Sequence, residues 1–400
     1  MTRAPLLVAI LAVPAAAQSR TDSLDALMQR TLDVAAVRLR TAATSLEPAN
    51  GYPRITKPDG TWTLVSRTQW TSGFFPGELW QMYAISHDSS WRSQAERWTA
   101  PLEVNDTRTN THDLGFIVFT SFGNELKLTG NTHARDVVFQ ASRSLSTRYS
   151  PVVRAIKSWD TERDKDKRAT WKFPVIIDNL MNLDMLFWSA AHGGDPKWKE
   201  IAAQHALTSA RSHVRPDGSV AHVALFDPVT GAFLGQANWQ GYSDSSAWAR
   251  GQAWAIDGFT RAYEATSRPE LLATARKVAD WYIAHAPADG VPYWDFRDPG
   301  IPNVERDASA AAIAASGLLS LSRDITGTAS AQYRVFAERS LESLLSRYVA
   351  PPPSEAILAH SVGGKPQGVE IDVGIVYADY YLLEAIRKDR ALRSGSPWPE

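Results

Sequence analysis

The alternation of short turns with long connections between helical segments limits the fold of this chain more than any other feature. Apolar residues recur at spacings of three and four in segments that predict helices. The predicted helices cover residues 22–44, 75–87, 91–102, 112–129, 132–149, 175–192, 195–213, 247–266, 269–286, 307–323, 329–348 and 373–388. Stacked helical hairpins have this pattern of connections. We therefore expect one closed toroid of six hairpins, forming a single domain over residues 18–400.

The direction of the predicted helices suggests where a site would lie. Alternate helices run the same way, so those starting near residues 75, 112, 175, 247, 307 and 373 should begin at one end of the toroid. Long loops precede most of these starts, and loops on a rigid scaffold often carry functional residues. Alternation typical of strands is confined to connections such as SVAHVALFD (219–227) and VPYWDF (291–296).

The first residues, MTRAPLLVAILAVPAAAQS, have the pattern of a secretory signal. Arg3 precedes an apolar stretch from Leu6 to Val13, and Ala15 and Ala17 form a small-residue cleavage site. A short buried helix is the alternative interpretation. We expect cleavage after the second alanine and a periplasmic or secreted bacterial protein.

The composition is that of a globular protein without an excess of positive charge. Of 400 residues, 44% are hydrophobic and 21% are charged, and the formal net charge is −1. This balance favours neither nucleic acid nor a membrane as a partner. The chain has no cysteine and no convincing metal-binding motif, so we expect no disulfide, metal or cofactor. The 15 tryptophans offer flat faces on which sugar rings can stack.

An acid lies in the almost wholly apolar stretch FPVIIDNLMNLDMLFWSA (173–190). Burial of a carboxylate costs free energy unless the group is paired, hydrogen-bonded or protonated. Pro174 suits the first turn of a helix and places Asp178 one turn in, on the same face as Asn182. Asp184 points elsewhere and is interpreted as a solvent or packing contact. Asp178 is either a structural acid or a carboxyl group with a chemical role.

A second acid, Asp113, follows His112 near the start of the helix predicted over residues 112–129. Alone it resembles an ordinary first-turn acid, which the helix dipole favours. Beside Asp178 at the same end of the toroid, it would form a pair in which repulsion raises one pKa and leaves the other acid ionised. Paired carboxyl groups of this kind are typical of sugar chemistry. Asp178, in apolar surroundings, is the better candidate for the proton donor.

Polar residues near the fourth helix start also have two interpretations. Arg250 lies between Trp248 and Trp254, where its charge opposes the helix dipole. A carboxylate partner would explain it, either an internal acid or an acidic substrate. His222 is either a strand-facing histidine or a site residue, and Gln240 is either a turn amide or a site residue. No nucleophile elbow or glycine-rich phosphate loop occurs in the sequence.

Five sequence blocks together resemble one known family. They are THDLGF (111–116), FPVIIDNLMN (173–182), DGSVAHV (217–223), QGYSDSSAWARGQAW (240–254) and IVYADYYLLEAI (375–386). Their order and spacing resemble those of the unsaturated glucuronyl hydrolases, glycoside hydrolase family 88, over nearly the whole chain after the signal. The resemblance implies an all-α fold, an (α/α)6 barrel, in agreement with the helices counted from the sequence.

The resemblance also implies roles for individual residues. It makes Asp178 the general acid and base, and Asp113 the second catalytic carboxylate. The pocket positions that it implies are His222, Gln240, Trp248, Arg250, Trp254, Trp70, Trp159 and, by adjacency alone, His112. Ser361 and Lys365 lie in the loop HSVGGKP (360–366), which approaches the second sugar in relatives. Contact with sulfate and an exposed turn are both open as interpretations of this loop.

The implied substrates are oligosaccharides that polysaccharide lyases leave with an unsaturated uronate at the non-reducing end. Asp178 would protonate C4 of the C4=C5 enol ether and then assist the attack of water at C5. The resulting hemiketal opens, and the glycosidic bond breaks. The carboxylate of the uronate is a hypothetical partner of Arg250. We expect an enzyme that acts on lyase products of chondroitin, hyaluronan or heparin. We expect this enzyme to be a monomer or a weak homodimer.

Three other functions remain as alternatives. The related family 105 acts by the same chemistry on unsaturated rhamnogalacturonyl products, although the SAWARGQAW and HDLGF blocks fit family 88 better. A polysaccharide lyase with an α/α toroid would need a Tyr/His or Lys base and would create the double bond. A sugar-binding protein without catalysis would keep the Trp and Arg residues but would need neither acid.

Overall fold

The structure, a computed structural model, describes residues 15–161 and 164–399, with side chains described from residue 24 onward. Residues 1–14, which contain most of the predicted signal, lie outside the described residues. No helix among the described residues is long and apolar enough to cross a membrane.

Twelve α-helices make up most of the described chain. They are α1 Ala15–Ser45, α2 Phe74–Ser86, α3 Ser89–Thr99, α4 Asn124–Thr129, α5 Thr132–Ser146, α6 Asn179–Ala191, α7 Lys197–Ser212, α8 Ala249–Thr266, α9 Pro269–His285, α10 Ala308–Asp324, α11 Thr328–Ser343 and α12 Val376–Ser394. A π-helical segment, Gly115–Gly123, runs directly into α4, and a second one, Leu344–Tyr348, follows α11. These elements agree closely with the helices predicted from the sequence.

The helices form two concentric layers. In the inner layer α2, the first π-helical segment with α4, α6, α8, α10 and α12 each pack against the next, and α12 packs against α2 to close the ring. The helices α3, α5, α7, α9 and α11 each pack outside the inner helix that precedes them. The predicted (α/α)6 barrel is therefore confirmed.

The inner helices are buried over most of their length because they are covered on both faces. In α10 every residue from Ala308 to Ser322 is buried, and most of these residues are small. The absence of a side chain at Gly317 allows α10 to approach α8 closely, since a Cβ there would lie 2.8 Å from the backbone of Asp257. Small residues thus bring the ring of helices together.

Short strands lie in the connections. The described chain contains β1 Tyr52–Thr56 with β2 Trp62–Val65, β3 Tyr149–Ser150 with β4 Ala155–Ile156, and a three-stranded sheet of β5 Phe173–Ile176, β6 Val223–Phe226 and β7 Phe233–Ala237. The strand predicted within residues 219–227 is present as β6. Residues 291–296 form only isolated bridges, such as Tyr293 with Arg306.

The helix predicted from residue 175 begins later than expected. Phe173–Ile176 is a strand whose Val175 pairs with Ala224 of β6, and α6 starts at Asn179. Asp178 is therefore the N-cap residue of α6, and its predicted place one turn into the helix is wrong. The apolar run FPVI is buried along its whole length, and a short run of this kind has no period that separates a strand from a helix.

The loops that precede the inner helices contact one another at one end of the barrel. Ile55 bridges to Ile375, Trp248 to Asp295, and Ser361 to Val373. The backbone N–H of Ala308, at the start of α10, donates to the carbonyl of His360. This end of the barrel contains both predicted catalytic acids.

Candidate active site

Asp178 is a buried acid that the protein leaves without a full set of partners. Its residue is 7% exposed, and its Oδ1 atom has no hydrogen-bond partner among the described residues. As the N-cap of α6 it makes no capping hydrogen bond through its side chain. Burial raises its pKa to about 7, against the opposing effect of the Arg250 charge, and the charge of Asp113 adds to the increase. The carboxyl group can therefore be a proton donor near neutral pH.

Asp113 lies in the turn before the π-helical segment and is held by its neighbours. The hydroxyl of Thr111 donates to Oδ2 of Asp113 at 3.0 Å, and Nε2 of His112 lies 3.2 Å from Oδ1. Nδ1 of His112 donates to the carbonyl of Ser158 at 2.7 Å, because a carbonyl oxygen only accepts. Neutral His112 therefore presents an unprotonated Nε2 to Asp113. Burial lowers the pKa of His112, which favours the neutral form.

Ser158 joins the two acidic segments. Its carbonyl accepts from His112, and its hydroxyl accepts from the backbone N–H of Ile176 at 2.9 Å, two residues before Asp178. One turn further along each segment, Oδ1 of Asn182 accepts from the backbone N–H of Phe116. These hydrogen bonds hold the start of the π-helical segment next to the start of α6. Asp113 and Asp178 therefore lie at the same end of the barrel.

His222 faces Asp178 in a defined tautomer. Its Nδ1 accepts from the backbone N–H groups of Trp239 and Gln240, each at 3.1 Å. Since backbone N–H groups only donate, the proton of the neutral ring is on Nε2. That atom lies 3.9 Å from Oδ1 of Asp178. Burial lowers the pKa of His222 well below its ordinary value, so the ring is a neutral donor directed toward the acid.

Arg250 is almost fully enclosed and has internal partners. Its residue is 1% exposed, and its guanidinium contacts Oδ2 of Asp307 at 3.2 Å. It also donates to the carbonyls of Val362 and Gly363. The sequence allowed either an internal acid or an acidic substrate as the partner of Arg250, and the structure provides an internal acid, Asp307. Nε has no partner among the described residues, and a contact with substrate stays a prediction.

The predicted pocket aromatics differ in their access to solvent. Trp70 and Trp159 are partly exposed, and the ring centroid of Trp159 lies 5.8 Å from that of His222. Trp248 is 2% exposed, and its centroid lies 4.9 Å from that of His222. Trp254 is 0% exposed and packs against Phe116 and Tyr381. Its placement under the site does not support direct stacking on a sugar in this conformation.

The loop over residues 360–374 closes one side of the site. Nε2 of Gln240 lies 3.4 Å from the carbonyl of Gly363, so this predicted site residue reaches the loop. Ser361 is 0% exposed, so it does not lie in an exposed turn, and its Oγ atom has no hydrogen-bond partner among the described residues. Its contact with sulfate stays a prediction. Lys365 forms an ion pair with Glu305 and lies 5.1 Å from the ring centroid of Trp294. Its side chain is still 24% exposed.

Some residues around the site were missed by the sequence analysis. Tyr377 stacks on Trp70 with ring centroids 5.2 Å apart, and Cζ of Arg250 lies 5.2 Å from its ring centroid. Asp307 caps α10 and accepts from Arg250 and from the backbone N–H of Val362. Both residues lie at inner-helix starts, and this shared position was the signal that could have identified them.

The arrangement is suited to proton transfer to a bound substrate. No group of three or more His, Cys, Asp or Glu side chains within residues 15–161 and 164–399 is placed to hold a metal ion. The site instead combines an acid of elevated pKa, a second carboxyl group, a neutral histidine donor and aromatic walls. A pair of carboxyl groups with different environments is the equipment of a glycosidase. The barrel and the site thus define a carbohydrate-active hydrolase.

Comparison with known proteins gives the family. The family described as Glycosyl Hydrolase Family 88 matches residues 47–388, and the chain belongs to this family of glycosidases. It is 42% identical over 352 residues to an unsaturated glucuronyl hydrolase of Formosa agariphila, covering 86% of each chain. It is 30% identical over 347 residues to an unsaturated chondroitin disaccharide hydrolase of Streptococcus pyogenes serotype M1, covering 84% of each.

A solved structure supports the same conclusion. The crystal structure of an unsaturated glucuronyl hydrolase specific for heparin superimposes with a TM-score of 0.88 and 38% sequence identity. The match covers 92% of this chain and 98% of that chain. The family predicted from the five sequence blocks is confirmed.

Proposed function

We propose that this glycosidase removes the unsaturated uronate from the non-reducing end of lyase-generated glycosaminoglycan fragments by adding water across the C4=C5 bond. The observation that carries the proposal is the buried carboxyl group of Asp178, which has a pKa of about 7 and an Oδ1 atom without a partner. The relatives named for unsaturated glucuronyl and chondroitin substrates, and the one specific for heparin, support the substrate class.

The first step is a proton transfer from Asp178 to C4 of the enol ether, which leaves positive charge shared by C5 and the ring oxygen. Water then adds at C5 and loses a proton to the carboxylate of Asp178. The hemiketal at C5 opens, and the aglycone leaves as an alcohol. A positioned acid contributes about 10²- to 10⁴-fold to such a reaction, and orientation of the uronate and the water must provide the rest.

The neighbouring groups have supporting roles in this proposal. Asp113 is the second catalytic carboxyl group and binds sugar hydroxyls. The Nε2–H group of His222 donates a hydrogen bond to the substrate or the attacking water, whichever lies between His222 and Asp178. Arg250 holds the loop over residues 360–374 through the carbonyls of Val362 and Gly363.

Absorbance of the conjugated alkene tests the proposal and separates it from other functions. The absorbance should fall when the enzyme acts on unsaturated disaccharides, whereas a lyase would raise it and a binding protein would leave it unchanged. Asp178→Asn should abolish the decrease while the protein stays folded by circular dichroism. Asp184→Asn is the matched control, because Asp184 lies on the same helix but pairs with Arg261. Normal turnover by Asp178→Asn would disprove the proposed role.

A panel of disaccharides separates this proposal from the family 105 alternative. Chondroitin, hyaluronan and heparin products should all be tested beside unsaturated rhamnogalacturonyl products, and the former should react faster. We also propose export of a monomer or weak homodimer, directed by residues 1–17. Mass spectrometry of the mature N-terminus and sedimentation of the purified enzyme test these two points.

A further inference from the structure

A cavity lies at the opposite end of the barrel from Asp178. It has a volume of about 610 Å³ and is lined by residues of the inner helices, including Asp184 near the middle of α6 and, in the C-terminal halves of their helices, Arg261 of α8, Ser320 of α10 and Arg387 of α12. Its inner wall reaches Phe116, which contacts Trp254 under the active site. A volume of this size is typical of sites for small ligands, which occupy about 300–1,000 Å³.

The cations of the cavity differ in whether a carboxylate neutralises them. Arg261 contacts Asp184, Asp257 and Glu384. Lys388 lies 3.3 Å from Glu384, and Arg323 lies beside Glu264. The positive charges of these three residues are therefore satisfied within the protein.

Arg387 is the exception among the guanidinium groups that line the cavity. Its hydrogen bond is to a neutral amide, with Nη1 donating to Oε1 of Gln81 at 2.6 Å, and no carboxylate lies within ion-pair distance of it in the described part of the chain. Burial lowers the pKa of Arg387, against the opposing effect of the more distant Glu384 charge. Arg387 lies about two turns before the end of α12, which is beyond the range of the helix-end dipole. The protein thus holds a poorly solvated guanidinium at the wall of an open cavity.

The rest of the lining is suited to a sugar ring. Five aromatic side chains line the cavity, namely Phe119, Phe187, Trp188, Tyr381 and Trp398. Some of their faces are already covered, since His192 stacks on Trp188 and Arg323 lies over Trp398. Polar side chains that can pair with hydroxyl groups also line the cavity, namely Gln81, Asn124 and Ser320. Aromatic faces with a few placed polar groups are the usual composition of such sites, and a guanidinium favours a carboxylate.

We propose that this cavity is a second binding site, distinct from the active site, for a sugar that carries a carboxylate, with Arg387 as the anion-binding residue. The exposed side chains of His192 and Lys199 lie at its entrance, so a ligand can enter without passing the catalytic acids. The inference does not depend on the proposed reaction, because binding at this end requires no chemistry.

A saturated glucuronosyl–hexosamine disaccharide is the probe, since it lacks the double bond that the proposed reaction consumes. Isothermal titration of the full chain should reveal a site whose affinity falls at least about tenfold in Arg387→Gln, as expected for a lost charge-assisted hydrogen bond. Ala265→Trp, which fills the cavity without removing a charge, should abolish the same site. A disaccharide with glucose in place of glucuronate should bind more weakly.

Two controls distinguish this site from the active site and from a general loss of charge. Arg390→Gln removes another arginine of α12, one that contacts Gln29 outside the cavity, and should leave the isotherm unchanged. Trp248→Ala alters the active site and should leave the cavity site intact. Hydrolysis of unsaturated substrate should be the same in Arg387→Gln and Ala265→Trp as in the parent. Equal isotherms for the parent, Arg387→Gln and Ala265→Trp would overturn the proposal.

Discussion

Nε2 of His222 lies 3.9 Å from Oδ1 of Asp178, and neither atom has a hydrogen-bond partner among the described residues. The distance is too long for a hydrogen bond between the two groups. Both are buried, so the lack of partners costs free energy in the resting protein. The two atoms are instead placed to share a third group, such as the substrate or the attacking water.

Replacement of His222 by Asn should separate its structural role from its catalytic role. Asn can keep an acceptor for the backbone N–H groups of Trp239 and Gln240, but it cannot present a donor at the position of Nε2. We expect stability close to that of the parent and a decrease in kcat of about 10- to 100-fold, the effect of losing one placed donor. His222→Phe should also lower the melting temperature, because it leaves both N–H groups unpaired. Parent-like kcat in His222→Asn would contradict the donor role.

The activity should depend on the protonated form of Asp178. Its pKa in the folded protein is about 7, so kcat/KM should decrease as pH rises through this value and should be about one hundredth of its maximum two pH units higher. Initial rates from pH 5 to 9, followed by alkene absorbance, give the profile. A profile that is flat between pH 6 and 9 would exclude Asp178 as the acid.

The same raised pKa predicts a cost in stability. An Asp that titrates at 3.8 when unfolded and at about 7 when folded destabilises the protein progressively as pH rises between these values. Below the lower value both states are protonated and the cost disappears; above the higher value it is constant, at roughly 4 kcal/mol. Asp178→Asn should therefore raise the free energy of unfolding at pH 8 but not at pH 3.5. Denaturant melts at the two pH values measure this difference, and an equal effect at both would contradict the prediction.

Much of the fold was predictable because helix periodicity is local information. Each helix shows its apolar face in its own sequence, and turn residues mark the ends. The strand Phe173–Ile176 was missed because its pairing partner, Val223–Phe226, is distant along the chain. Because this strand occupies residues 173–176, α6 can begin only at Asn179, and Asp178 becomes its N-cap residue. The sequence analysis therefore placed Asp178 at the correct end of the barrel but in the wrong position of the helix.

The side-chain partners were less predictable than the fold. The sequence suggested a carboxylate for Arg250 but could not choose between substrate and protein, since Asp307 belongs to a different hairpin. In the same way, nothing local indicates that Ser361 is buried, because its burial results from a bridge to Val373. Such contacts depend on how the loops fold over one another at the barrel end.

The ion pair of Arg250 with Asp307 should be important for stability, because both side chains are almost fully buried. Removal of one partner of such a pair typically costs about 3–5 kcal/mol, since the other charge stays buried alone. Arg250→Gln and Asp307→Asn should each destabilise the protein by this amount in denaturant melts. The double variant should recover part of the loss.

Kinetics of the double variant then test whether Arg250 also binds substrate. If its guanidinium contacts the uronate, KM should stay high in the double variant even where stability has recovered. If Arg250 only holds the loop at Val362 and Gly363, KM should recover together with stability. Parent-like turnover and KM in Arg250→Lys would exclude the contact with the uronate.

The ion pair of Lys365 with Glu305 tests the predicted contact with sulfate. Lys365 has one strong partner in the protein but is still partly exposed, so a sulfate on the second sugar would have to compete with Glu305. Glu305→Gln should leave the ammonium group with only the weaker contact to Asp298 at 3.9 Å, and should raise the ratio of kcat/KM for sulfated over unsulfated disaccharides by severalfold. Lys365→Ala should lower the same ratio, and added salt should reduce both effects because the groups are partly solvated. If the ratio of kcat/KM for sulfated over unsulfated disaccharides is unchanged in both variants, Lys365 does not contact sulfate and only binds its loop to Glu305.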